Sequence, residues 1–346
     1  MKFATFPPKK LFKMSASKKT LEGEEHIRKA EKYLKTSFMK WTPDYDPAAD
    51  EFSRAATCFK VGKEHEKTLD ALSRACECYK EVKSLYQAAK MLEQSVIICR
   101  DAGKLDLIVD YASRGALLYR TAGNPESAAQ LLEKAAKILE PKFPEKALDL
   151  YSKAAETIAT ANEDRPKEVA EYLTKVARLH AKAKNYEETI NALRQTIHVQ
   201  QDAGKTQTTG RLVGGLVLTQ LAREDVVAAN KAYQEFGGWC DTDLAGAIQE
   251  VLQAFEDEDA EAAKAGLNKA AIKNLDIEFA RMAVKDIPLP DTADLEAAAS
   301  QFGAQRAEAT KDVKKDVVEE PEIDPPKAVV EEQKQLEEED DEDDLC

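Results

Sequence analysis

Residues 48–59 read AADEFSRAATCF, residues 68–79 read TLDALSRACECY, and residues 88–99 read AAKMLEQSVIIC. The three segments follow one another at a constant interval, and each carries apolar or small residues at its positions 1, 5, 8 and 12. Spacings of four, three and four residues place these side chains on one stripe of an α-helix. A helical stripe that returns at a fixed period is typical of a repeat array.

Further copies of the stripe begin at residues 108 and 128, and looser copies begin at residues 147 and 169. The third stripe position is small in six consecutive copies, which should let neighbouring helices approach closely. These residues are Ala55, Ala75, Ser95, Gly115, Ala135 and Ala154. Short segments with Gly or Pro separate the copies, as at Ala122-Gly123-Asn124-Pro125, and such segments end one helix and start the next.

One helix and one turn per repeat make a hairpin of about 40 residues, longer than a tetratricopeptide repeat but of the same kind. We therefore predict an all-α, tetratricopeptide-like α-solenoid, a twisted sheet of antiparallel helix hairpins with a concave binding face. Its stripes would be buried only between neighbouring helices.

After about residue 206 the period fails and shorter helices follow. The pattern places them at Leu212–Ala222, Val226–Phe236, Leu244–Phe255, Ala260–Ile272 and Ile277–Val284. Residues 337–344 are all acidic, and a segment so poor in apolar residues cannot fold alone. The expected domains are a flexible leader at 1–20, the hairpin solenoid at 21–205, a closing C-terminal helical bundle at 206–287 and a disordered acidic tail at 288–346.

The net charge of −14 is unevenly placed, because residues 1–40 are basic and residues 301–346 are strongly acidic. Such asymmetry suggests different partners at the two ends. No basic face stands out in the body, so nucleic acid is not an expected partner. The six cysteines form no Cys-x-x-Cys pair, and no stretch approaches the length of about 18 apolar residues that a membrane span requires. Both observations favour an intracellular protein with reduced thiols.

Catalytic patterns are missing from the sequence. None of the four histidines has a His or Cys at metal-binding spacing, and His180, on a helical stripe, is expected to be a hydrogen-bonded core residue. Gly204-Lys205-Thr206 resembles the end of a phosphate loop, but Val199 stands where that loop needs its first Gly. Gly210, Gly214 and Gly215 favour close helix packing instead. We therefore expect neither an enzyme nor a bound cofactor, metal or small-molecule substrate.

Residues 30–41 read AEKYLKTSFMKW, and residues 43–49 read PDYDPAA. This opening resembles the soluble NSF attachment protein (SNAP) family, closest to its gamma branch, and the likeness continues through the repeats to Asp344-Leu345-Cys346. The resemblance implies a cytoplasmic adaptor, peripherally associated with membranes, that binds SNARE complexes of syntaxin-type helices. It also implies recruitment and stimulation of the hexameric ATPase NSF for SNARE disassembly in vesicle-mediated protein transport and membrane fusion. The ATP chemistry would then belong to the partner.

The resemblance assigns a membrane-attachment role to Phe38, Met39 and Trp41, in the loop after the first helix. The alpha branch carries more Phe and Gly in this loop, so the match is imperfect. The alternative is that these three side chains staple the first helix onto the second.

Three further assignments follow from the family. Glu256 and Asp257 resemble the acidic cluster that meets NSF, although they could equally be a solvated helix end. Leu345, penultimate in the acidic tail, matches the leucine that stimulates the ATPase. Lys60 and Lys63, near an early helix end, are candidates for SNARE binding.

Two other functions remain open on the residues alone. A tetratricopeptide-like co-chaperone would clamp peptide C-termini, but it needs Lys and Asn pairs in one groove, and the sequence does not assemble them. A scaffold for organelle or cytoskeletal proteins would use the same array without an ATPase partner.

Overall fold

The computed structural model describes residues 8–36, 41–161, 165–202 and 206–290. All regular elements in these ranges are helical. The α-helices are α1 (Pro8–Leu34), α2 (Tyr45–Gly62), α3 (His65–Glu81), α4 (Leu85–Ala102), α5 (Ile108–Thr121), α6 (Pro125–Leu139), α7 (Pro144–Ala161), α8 (Pro166–Lys182), α9 (Tyr186–Asp202), α10 (Thr206–Ala222), α11 (Val226–Phe236), α12 (Thr242–Glu256), α13 (Ala260–Leu267), α14 (Ala270–Lys273) and α15 (Ile277–Lys285). Short 3-10 turns occupy Leu105–Leu107 and Gly237–Trp239.

From α1 to α11, each helix packs mainly against its neighbours in the chain. Because the turns between them are short, neighbours run antiparallel and form successive hairpins. Helices α2, α3, α4 and α6 begin at residues 45, 65, 85 and 125, which reproduces the sequence period. The predicted all-α, tetratricopeptide-like solenoid is confirmed.

Local sequence explains where these helices start and stop. Gly103 and Gly123 follow α4 and α5 with φ of 73° and 76°, the left-handed conformation that glycine adopts without strain. Asp225 and Asp241 cap α11 and α12, and each accepts a 2.8 Å hydrogen bond from a backbone N–H in the first turn.

The small residues at the third stripe position lie in the core, as predicted. Gly115 shows why they must be small. A Cβ atom on Gly115 would lie 2.6 Å from Leu131 Cδ2 and 3.3 Å from Leu92 Cβ. The repeat therefore depends on contacts in which one helix offers almost no side chain to its neighbours.

Helix α10 is buried along most of its length, and its glycines permit this. A Cβ on Gly215 would lie 3.0 Å from the Phe279 ring, and one on Gly210 would lie 2.5 Å from the Trp239 carbonyl oxygen. These glycines serve close packing, as the sequence indicated. None of the described helices is both long and apolar enough to cross a bilayer.

Several element boundaries differ from the sequence expectations, and α10 begins at Thr206 and not at Leu212. Helix α1 begins at Pro8, inside the stretch expected to be a leader, because residues 9–22 contain neither Pro nor Gly to interrupt a helix. The single helix expected at Ala260–Ile272 is divided in two. Asn268 Nδ2 donates to the Lys264 carbonyl oxygen at 2.8 Å, and Lys269 is extended (φ −61°, ψ 149°), so the chain turns before α14.

Candidate functional site

The loop between α1 and α2 carries the first predicted site. Its two ends are joined to the end of α1, because Lys35 N–H donates to Glu31 O and Asp44 N–H donates to Tyr33 O, both at 3.1 Å. Trp41 is 84% exposed, so its ring is not packed between the two helices. Phe38 and Met39 lie outside the described residues.

Lys60 and Lys63 lie at the other end of α2 and are exposed. Lys63 ends the helix with φ of 61°, and its N–H donates to Lys60 O at 3.0 Å. Helix α2 has 18 residues, which corresponds to about 27 Å at 1.5 Å per residue. The two lysines are thus separated from Trp41 by the whole helix.

Glu256 and Asp257 lie where α12 ends, and both are exposed. Gln253 Nε2 donates to Asp257 Oδ1 at 3.0 Å, whereas Glu256 forms no ion pair with any described residue. The turn continues with Glu258, at φ of 57°, and with Asp259, which caps α13 by accepting from Ala262 N–H at 2.9 Å. Four acidic residues therefore follow one another on this turn. Leu345 lies outside the described residues.

Ion pairs between alternate helices are a feature that the sequence analysis missed. Lys134 of α6 pairs with Glu93 of α4, and Lys175 of α8 pairs with Glu133 of α6 at 2.6 Å. Alternate helices of the hairpins form one layer of the array, and the two pairs join α4 to α6 and α6 to α8 within that layer. We call the side chains Glu93, Lys134, Glu133 and Lys175 the charge ladder.

A recurring signal could have revealed the ladder. The seventh position of the stripe pattern is basic in six of the seven copies: Arg54, Arg74, Arg114, Lys134, Lys153 and Lys175. Each of these residues forms an ion pair with a carboxylate. Arg74, Lys134 and Lys175 pair with a carboxylate of an alternate helix, and the other three pair with one on their own helix. Each of these cations therefore already has a partner within the array.

Burial and hydrogen bonding have opposite effects on the pKa values of the ladder carboxylates. Burial disfavours the charged form of Glu133, but hydrogen bonds from Lys137 and Lys175 outweigh it and lower the pKa of Glu133. Glu93 behaves in the same way, since Lys134 and the Tyr119 hydroxyl donate to it and its pKa is also lowered. Burial, followed by the hydrogen bond to Glu93, raises the pKa of Tyr119.

His180 differs from the sequence expectation. Its Nδ1 atom is buried and has no hydrogen-bond partner among the described residues. Burial lowers the pKa of His180. The ring borders a groove of about 460 Å³ that also includes Leu173, Val176 and Glu188.

Known proteins of one family match most of this chain. The family model "Soluble NSF attachment protein, SNAP" matches residues 21–276. The gamma-soluble NSF attachment protein of Dictyostelium discoideum is 24% identical over 270 residues, which cover 77% of this chain and 83% of that protein. The gamma-soluble NSF attachment protein of Arabidopsis thaliana is 22% identical over 279 residues, with coverage of 80% and 94%.

An alpha-soluble NSF attachment protein of Vitis vinifera is 28% identical over 266 residues, which cover 66% of this chain and 82% of that protein. The match to the family model extends from α1 to the segment before α15, so it includes the hairpin array and most of the shorter helices. The chain belongs to the soluble NSF attachment protein family, whose members are adaptors and not enzymes.

Proposed function

We propose that this protein binds SNARE complexes and recruits and stimulates NSF, so that the ATPase can disassemble the SNARE bundle during vesicle-mediated protein transport. The observation that carries the proposal is the family match over residues 21–276, which includes both the array and the helices that follow it. A protein with these parts contributes binding surfaces, while its partner supplies ATP hydrolysis.

The array supports the first half of the proposal, the binding of a long helical bundle. Its hairpins repeat along the chain, and ion pairs within one layer, such as Lys175–Glu133, hold alternate helices together. A partner built from long helices can be contacted at several repeats at once, and separate weak contacts then add up. Lys60 and Lys63 are our candidates for contacts at the N-terminal end.

The acidic turn and the tail support the second half, the engagement of NSF. Glu256 and Asp257 are exposed on a turn of four acids, and such a turn attracts a basic surface at distances up to about 8 Å at physiological salt. The acidic run at 337–344 would add to that attraction. Leu345 is the large apolar residue beyond the run, so it is our candidate for the contact that stimulates hydrolysis.

Recruitment and stimulation can be tested separately. Immobilised SNARE complex is loaded with the protein and then with NSF in a non-hydrolysable ATP analogue, and bound NSF is measured. We expect the double change Glu256→Lys and Asp257→Lys to reduce NSF recruitment while SNARE binding persists. The matched control changes Glu145 and Glu171, two exposed acids of α7 and α8, to Lys and should leave recruitment unchanged.

ATP hydrolysis is then measured with Leu345→Ala. We expect this variant to recruit NSF normally and to stimulate hydrolysis and SNARE disassembly less than the unaltered protein. Full stimulation by Leu345→Ala would exclude the role given to Leu345. Failure of the unaltered protein to recruit NSF would overturn the proposal and favour a scaffold without an ATPase partner.

A further inference from the structure

Three side chains of metal-binding chemistry meet where α1 packs against α2. Glu22 and His26 lie one turn apart on α1, and Cys58 projects from α2. One ligand atom from each of the three lies within 4.8 Å of the other two. In the part of the chain that the structure describes, no other group of three such side chains comes this close. The linear sequence conceals this group because Cys58 comes from a different helix.

A second carboxylate orients the histidine. His26 Nδ1 lies 2.7 Å from Glu51 Oε2, and the other oxygen of Glu51 accepts from Arg54 at 3.0 Å. If Nδ1–H donates to this carboxylate, Nε2 keeps its lone pair. A histidine held by a carboxylate in this way is the usual arrangement behind a metal-binding imidazole.

The surroundings suit a bound ion with one open side. Cys58 is 8% exposed, and the side chains of His26 and Glu51 are 17% and 12% exposed. The Glu22 side chain is 41% exposed, which leaves a path for an ion to enter. Lys19 Nζ pairs with Glu22 Oε2 at 2.6 Å, and the Glu22 carboxylate also hydrogen-bonds with Cys58.

We propose that Glu22, His26 and Cys58 form a zinc-binding site that ties α1 to α2, with water as the fourth ligand and Glu51 holding the imidazole. Carboxylate oxygen, imidazole nitrogen and thiolate sulfur are the ligands that zinc takes in proteins, at about 2.0–2.3 Å. Tetrahedral bonds of that length separate the ligand atoms by about 3.3–3.8 Å. The ligand atoms, which lie within 4.8 Å of one another, therefore need to approach by at most about 1.5 Å, which side-chain rotation can supply.

Cobalt(II) is the probe for the test, because thiolate coordination to cobalt gives a charge-transfer absorption that carboxylates alone do not give. The full-length chain is titrated with Co²⁺ in a Cys346→Ser background, since Cys346 lies outside the described residues. We expect one saturable equivalent with the charge-transfer band, displaced by Zn²⁺. Cys58→Ser should abolish the band, and Cys76→Ser, which changes a buried thiol of α3, should preserve it.

Two milder variants separate metal binding from folding. Glu51→Gln should keep the band but weaken the affinity for Co²⁺ by about 10–100-fold, the usual effect of losing the carboxylate behind a metal-bound histidine. Glu22→Gln, at the most exposed of the ligands, should weaken binding while the circular dichroism spectrum without metal stays unchanged. The proposal is overturned if the unaltered protein shows no saturable band, if Cys58→Ser retains it, or if Glu22→Gln and Glu51→Gln bind as tightly as the parent.

Discussion

Gly115 shows how much a single Cβ atom matters to the contact between neighbouring helices. Gly115→Ala adds a methyl group 2.6 Å from Leu131 Cδ2, and crowding a packed core usually costs about 1–3 kcal/mol. Gly246→Ala is the matched control, because a Cβ on this glycine of α12 meets nothing within 4 Å. Both changes gain the helix preference of Ala over Gly, about 0.5–1 kcal/mol.

We therefore expect Gly246→Ala to raise the free energy of unfolding above that of the parent. The free energy of unfolding of Gly115→Ala should lie about 1–3 kcal/mol below that of Gly246→Ala. Urea denaturation followed by circular dichroism measures both. Equal stabilisation of the two variants would mean that Leu131 can move aside freely, and the argument for small stripe residues would then fail.

The Phe38, Met39 and Trp41 side chains give a second prediction at the residue scale. Inserting a large apolar side chain into a membrane interface is worth about 1.5–3 kcal/mol, so three supply about 5–9 kcal/mol before ordering costs. Lys35 and Lys40 could add about 1 kcal/mol each on anionic lipid. Changing the three apolar residues to Ser should lower disassembly of SNARE complexes in liposomes and spare that of complexes in detergent.

The control for this triple variant removes exposed apolar surface elsewhere. Leu117, Val227 and Ile277 are 60%, 64% and 65% exposed, so changing all three to Ser removes comparable apolar side chains. The control should act normally on liposomes. Equal loss on liposomes and in detergent, together with a lower melting temperature of the loop variant, would support the stapling role instead.

At the scale of the helices, periodicity predicts most of what the structure contains. The stripes locate α2 to α8 because each helix must bury the same face against its neighbours, and turn residues such as Gly103 mark the ends. The sequence pattern did not predict the break between α13 and α14, because the hydrophobic pattern is continuous there. The break occurs where the Asn268 side chain competes for a backbone carbonyl. Local propensity alone does not decide that competition.

Contacts between distant helices were beyond sequence reasoning for a different reason. The basic residue at the seventh position is visible in the sequence, yet its partner can belong to a distant helix, as Glu133 does for Lys175. The cluster of Glu22, His26 and Cys58 likewise depends on which faces of α1 and α2 meet. Such pairings require the rotation of each helix about its axis, which a stripe fixes only approximately.

The charge ladder predicts how the helical array responds to acid. The pKa of Glu133 is lowered in the folded state, so this carboxylate stabilises the fold above its unfolded pKa and loses that contribution as the pH falls. Glu133→Gln should lower the free energy of unfolding by about 1–2 kcal/mol at pH 7, because hydrogen bonds to a charged group are lost.

The same variant should lose less stability than the parent when the pH is lowered from 7 to about 3, because the parent loses the Glu133 contribution between the unfolded pKa of a glutamate, about 4.3, and the lower folded pKa. Urea titrations at several pH values measure the difference. Glu171→Gln, at an exposed position of α8, serves as the control and should follow the parent curve. Parallel curves for Glu133→Gln and the parent would show that Glu133 does not titrate differently on folding.

At the scale of the whole molecule, the repeat implies that a segment of two helical repeats can be removed without disturbing the helical stripe. Deleting residues 95–134 joins the first half of α4 to the end of α6, so that Gln94 precedes Ala135. Ala135 and Ala136 then take the buried places of Ser95 and Val96. The remainder keeps both the direction of every helix and the layer in which each helix lies.

The ladder should also close again in this shortened protein. Glu93 and Glu133 hold the same position in copies that are two repeats apart, and both pair with a lysine of the next helix in their layer. After the deletion, α8 is the next helix in the layer of the joined helix. Lys175, which loses Glu133, should therefore find Glu93 in its place.

A slightly longer deletion provides the matched control. Removing residues 95–136 turns the second half of the joined helix by about 200°, since each residue advances a helix by about 100°. Lys137 would then occupy the buried place of Ser95, and Glu140 that of Ile98. We expect the shorter deletion to unfold cooperatively in urea with helical content in proportion to its length, and the longer deletion to lose cooperativity and aggregate. If both proteins behave alike, the two-helix hairpin is not the unit from which this array is built.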